Sequence, residues 1–145
     1  MRQHRMLWGR IVLGGFLVEA VLMAVTIPLF MWGGEALVPY LGVIGSLVVT
    51  FLFGWWVARR APSRHMLHGL MVGVVAMVIY GAIFVVASRL APAEAQGEPM
   101  PLIYYVLGHG FKLLGGALGG LMVAREQRWR DDAGRARAVT ARYGN

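Results

Sequence analysis

The sequence predicts an all-α membrane protein, a bundle of four transmembrane helices, and three observations carry that prediction. Of 145 residues, 58% are hydrophobic and 14% charged, which is far from the mixture of a soluble domain with one apolar core. The apolar residues fall into four blocks, 8–32, 37–58, 66–88 and 102–124, each close to the roughly 20 residues a helix needs to cross the hydrocarbon. None of the blocks alternates polar and apolar residues, and an open sheet edge cannot be satisfied in lipid, so strands are excluded.

The first block follows a basic start, Arg2 and Arg5, as a secretory leader would. It runs too long for one, over more than twenty residues to Trp32 without a convincing small-x-small cleavage site, which predicts a retained first span. Gly33, Gly34 and Glu35 then make a short turn, and Pro39 stands near the start of the second span, where a missing N–H costs nothing. The second connection, 59–65, is short and basic. The third, 89–101, is longer and holds Pro92, Gly97, Pro99 and Pro101. The whole of 1–145 reads as one integral membrane domain, with a basic tail over 125–145. Glu126/Arg130 and Asp131/Arg135 have helix ion-pair spacing in that tail, but its apolar face is weak, which predicts a solvated, partly ordered extension.

Charge sets the orientation. Of thirteen arginines, twelve lie at the N-terminus (Arg2, Arg5, Arg10), between the second and third spans, or after the fourth; Arg89 is the exception, and Glu35, Glu94 and Glu98 share its side. Positive charge stays in the cytoplasm, so both termini are expected inside, in a bacterial inner membrane. The net charge of +7 therefore encodes topology and attraction to anionic headgroups, and a nucleic-acid partner is not expected.

An internal repeat is faintly visible. Gly54 to Arg59 and Gly120 to Arg125 both read G-x-x-V-A-R, suggesting two parallel helical hairpins related by an axis along the membrane normal.

The fourth span carries two overlapping G-x-x-x-G patterns, Gly115/Gly119 and Gly116/Gly120, and the third offers Gly69 and Gly73. Bare helix faces of this kind admit a neighbouring backbone, either within the bundle or across a homo-oligomer seam. A phosphate cradle is excluded, because these glycines lie inside an apolar stretch and do not precede a helix N-terminus.

Glu19 and Lys112 are ionisable residues inside spans, where charge is costly and faces protein or water. At 1.5 Å per residue, Glu19 lies roughly 13 Å beyond Arg10 and Lys112 roughly 19 Å before Arg125. Both fall near the midplane, and His109 and Tyr80 have similar depth. These four residues are the candidate polar cluster, either as a self-satisfied pair that fixes helix register or as a proton or substrate site. His65 and His68 have H-x-x-H spacing, but two imidazoles with no cysteine and no nearby carboxylate predict no metal site. No cofactor motif and no catalytic constellation is present: H-E-x-x-H is missing, and Ser46 and Ser88 have no base near them in sequence. The expectation is no enzyme.

The stretches F-x-x-G-W-W-V-A-R-R (Phe51 to Arg60), L-H-G-L-x-x-G (Leu67 to Gly73) and K-L-x-G-G-A-L-G-G (Lys112 to Gly120) together resemble uncharacterised four-span bacterial inner-membrane proteins. The resemblance covers spans two to four and implies a fold and a membrane, with no assigned reaction. The glutamate in the first span is also similar to that of small multidrug resistance transporters. This chain departs from them in its arginine bias, in lacking their aromatic motif in span three, and in Lys112, which would compete for Glu19. The sequence therefore points to a non-enzymatic polytopic protein that acts through helix packing, as a homo-oligomer or as an accessory subunit of a larger membrane complex. The alternative is a small ion- or proton-coupled transporter or channel.

Overall fold

The computed structural model describes residues 6–90 and 101–143; the first five residues, the last two and residues 91–100, with Glu94 and Glu98, lie outside that description. The described residues form α1 (Trp8–Met31), a 3₁₀ turn (Glu35–Leu37), α2 (Val38–Ala58), α3 (His65–Leu90) and α4 (Leu102–Tyr143). All four helices are long and apolar enough to cross a membrane. Gly33, at φ 78°, turns the chain out of α1. Pro39 occupies the first turn of α2, where its fixed φ suits a helix start.

The helices run alternately up and down, so Arg10, Arg59, Arg60, Arg64 and Arg125 gather at one end, called here the basic end. Going round the bundle the order is α1, α2, α4, α3, with α2 and α3 also touching across the middle. On the other diagonal, α1 and α4 have no Cα atoms within 8 Å of each other. A twofold axis relating the two hairpins would make α1 meet α4 as α2 meets α3, so the parallel hairpins are not related by such an axis.

Packing is concentrated in the basic half. The buried residues of α1 lie between Ile11 and Glu19, those of α2 between Ser46 and Ala58, and those of α3 between His65 and Ala76. Ile11, Val18, Val57, Val72 and Ala76 form the core, and glycines set its tightness. A Cβ on Gly115 or Gly119 would run into the backbone of α2 at Leu47, Phe51 and Trp55, whereas one on Gly116 or Gly120 would run into α3 at Gly69, His65 and Met66. The two overlapping patterns thus serve two different neighbours. Gly69 and Gly73 present the reciprocal face of α3 to Gly116, Gly120 and Lys112. Helices this close gain dispersion along their full contact, the main source of cohesion where lipid removes the hydrophobic drive.

In the other half none of the described residues is buried. Every residue of α3 from Gly81 to Leu90 is exposed, and α1 buries nothing beyond Glu19. α4 does not stop at the boundary near Ala124 but continues as a helix to Tyr143, its charged part exposed.

Candidate functional site

The floor of the loose half is the polar cluster. Lys112 Nζ donates to Glu19 Oε1 at 2.6 Å, and the two side chains are 5% and 4% exposed. The pair spans the diagonal on which the backbones do not meet, so two long side chains bridge what close helix packing leaves open. α3 places Tyr80 beneath the ammonium, with Lys112 Nζ 4.7 Å from the ring centroid, within the range of a cation–π contact. His109, one turn from Lys112 on α4, meets Tyr80 edge-on at 5.1 Å. Glu19, Lys112, Tyr80 and His109 therefore form one contiguous group drawn from three helices. His109 Nδ1 is buried and has no hydrogen-bond partner among the described residues.

A cavity of about 320 Å³ rests on this floor. Leu22, Ile27 and Val43 supply apolar walls, and Tyr104 and Tyr105 supply rings. Tyr40 stands edge-on to Tyr104 at 6.1 Å. The cavity exists because α1 and α4 do not close on each other above the ion pair.

Besides His109, two further lining residues have unspent polar groups. Ser46 is 3% exposed, lines the cavity, and its hydroxyl makes no hydrogen bond to a described residue. Glu19 uses only Oε1; Oε2 has no protein donor among the described residues. Thr26 differs, since its hydroxyl donates to Leu22 O at 2.8 Å within α1. Sequence reasoning passed over Ser46, Tyr104 and Tyr105 as site residues. Only their helical spacing from Lys112 and Pro39 could have signalled them, and that spacing says nothing until the helix order is known.

The two histidines of the H-x-x-H pair are spent on the backbone. His65 Nδ1 lies 2.9 Å from Ala58 O, at the C-terminus of α2. His68 Nδ1 lies 3.1 Å from Arg64 O, and its Nε2 accepts from Leu7 N–H at 3.4 Å. These contacts tie the start of α3 to the end of α2 and give the Leu7 N–H, just ahead of α1, an acceptor. Among the described residues no group of three His, Cys, Asp or Glu could hold a metal ion. In the tail, the ion pair that forms is Asp132–Arg135, one turn apart; Asp131/Arg135 spacing offered a different partner.

Fold and site together define a class: a four-span helical membrane protein with a buried ion pair under a one-sided cavity. Comparison with family models, with characterised proteins and with solved structures gives no match.

Proposed function

We propose that the chain is a non-enzymatic inner-membrane protein of a bacterium that acts through helix packing, as a homo-oligomer or as an accessory subunit of a larger assembly. The observation that carries this reading is the ion pair. Glu19 and Lys112 satisfy each other at 2.6 Å in an almost fully buried position, joining helices whose backbones never approach, which is what a register lock requires. The G-x-x-x-G glycines of α4 are consumed inside the bundle, so assembly with a partner runs through other surfaces; the exposed outer half of α3 supports that. The arginine-rich end belongs in the cytoplasm with both termini, against anionic headgroups. Nucleic acid is not a partner, because these arginines serve the boundary.

A second reading is favoured by the cavity above the pair: a small ion- or proton-coupled transporter or channel, with Glu19 exchanging a proton or solute and Lys112 as its resting partner. Glu19→Gln, Lys112→Met and the double exchange separate the two, with thermal stability and proton-coupled flux in proteoliposomes measured side by side. Each single change strands a buried charge and is expected to cost about 3–5 kcal/mol, while the double change recovers most of it. Recovery with no flux in any protein supports the packing role. A flux that the wild type carries and Glu19→Gln abolishes at unchanged stability replaces it with transport.

A further inference from the structure

The unspent groups on the cavity floor carry charge information that the ion pair alone does not. Glu19 contributes one negative charge and Lys112 one positive charge, and no other charged side chain lines the cavity. The site is therefore neutral and sits at low dielectric, where an uncompensated charge is very costly. A cationic solute that took Glu19 would leave Lys112 unpaired, and an anionic solute that took Lys112 would leave Glu19 unpaired. Only a solute that brings both charges, close together, leaves every charge matched. The free positions suit such a head. Among the described residues nothing donates to Glu19 Oε2, Lys112 has donated one of its three N–H groups to Glu19, and the buried Ser46, whose hydroxyl makes no hydrogen bond to a described residue, lines the same cavity. Above the floor, the tyrosine rings and aliphatic walls suit an apolar or aromatic body. A volume of about 320 Å³ is at the small end of ligand cavities, which suits a small molecule and not a whole lipid.

We propose that this cavity is a binding site for a small zwitterion with adjacent ammonium and carboxylate groups on an apolar or aromatic body, the chemistry of a hydrophobic α-amino acid. The ligand's ammonium donates to Glu19 Oε2, and its carboxylate accepts from Lys112 and from the Ser46 hydroxyl. The four charges alternate and the Glu19–Lys112 contact is kept. Charge-assisted hydrogen bonds are roughly twice as strong as neutral ones, so an uncharged alcohol of the same shape gains much less. The proposal rests on the second reading above, that the cavity handles a solute, but it concerns equilibrium binding and does not need flux.

The test is calorimetric titration of the full chain in nanodiscs, with empty nanodiscs subtracted. The four probes share one ring: L-phenylalanine, phenethylamine (cation), 3-phenylpropionate (anion) and 2-phenylethanol (uncharged). L-Phenylalanine is expected to bind at least tenfold more tightly than each of the others. Ser46→Ala, which leaves the ion pair in place, is expected to weaken L-phenylalanine and 3-phenylpropionate severalfold and to leave phenethylamine unchanged. In the Glu19→Gln, Lys112→Met double variant the preference for the zwitterion disappears. Equal or tighter binding of either singly charged probe or of the alcohol overturns the ligand class while leaving the cavity a solute site. Binding of none of the four overturns the proposal outright, and so does a double variant that still prefers L-phenylalanine. A solute flux found alongside no binding of these probes sinks the ligand class and spares the transport reading.

Discussion

A methyl group added at Gly116 would meet the backbone of α3, whereas one added at Gly110 would meet nothing within 4 Å. The two positions are less than two turns apart on one helix, and the same substitution should move stability in opposite directions. At Gly116 the obstacle is the Gly69 carbonyl group, which cannot rotate aside as a side chain could. Alanine there should cost about 1–3 kcal/mol, in the range of an overpacked core, and leucine at both Gly116 and Gly120 should disrupt the bundle. Gly110→Ala should instead gain roughly 0.5–1 kcal/mol by restricting the unfolded chain. Unfolding in mixed detergent micelles checks both, and equal effects at the two sites would contradict the packing described. In the sequence Gly115, Gly116, Gly119 and Gly120 stand out as overlapping G-x-x-x-G patterns, to which Gly108 and Gly110 do not belong, but the neighbour that each pattern meets is not legible there. Depth along α4 separates the two sets, because only the half below Lys112 is in close contact. Glu19 and Lys112 were legible as residues because charge inside an apolar run is conspicuous. Their pairing across the diagonal was a matter of reach, and only the helix order gives it.

At the scale of elements, α4 joins two helices of different character. Its first part is held by neighbours on two sides. The part beyond Ala124 projects for about 28 Å at 1.5 Å per residue with nearly every residue exposed. Nothing tertiary holds this extension, so its helicity rests on continuity with the anchored part, which removes the nucleation cost, and on local pairs such as Asp132–Arg135. Removing residues 131–145 is therefore expected to leave the melting temperature of the bundle unchanged and to lower helical ellipticity in proportion to the residues lost. A drop of several degrees would mean that the extension packs on the bundle. Gly134, with open space around it, is the weak point, and Gly134→Ala should raise the helicity of the tail. Elements differed in how clearly the sequence announced them. The four spans were plain, because length and hydropathy leave a membrane helix few alternatives. The helical tail was harder to foresee, since a solvated helix and a solvated coil of the same residues differ by tenths of a kcal/mol per position.

For the molecule as a whole, the ion pair marks a plane: tight helix crossings lie on one side and a cavity on the other. Ser46 and Thr50 stand one turn apart on α2 and test that plane directly. Both are buried by residue, at 3% and 0% exposure, yet only Ser46 lines the cavity; Thr50 lies against the packed half, its hydroxyl without a partner among the described residues. The chain has no cysteine, so single cysteines can be introduced without background. A thiol reacts as the thiolate, and a thiolate forms only where water can stabilise the charge, so labelling reports hydration. Ser46→Cys and Val43→Cys should be modified by a small charged methanethiosulfonate, whereas Thr50→Cys and Ala76→Cys should stay unmodified until the protein is unfolded. Applied to oriented vesicles, the reagent should reach Ser46→Cys from the periplasmic face only, because the proposed orientation puts the arginine-rich, sealed end in the cytoplasm. Labelling from the cytoplasmic face alone would invert the topology. Equal labelling of Ser46→Cys and Thr50→Cys would mean that water passes the ion pair, and the packed half would then be no barrier.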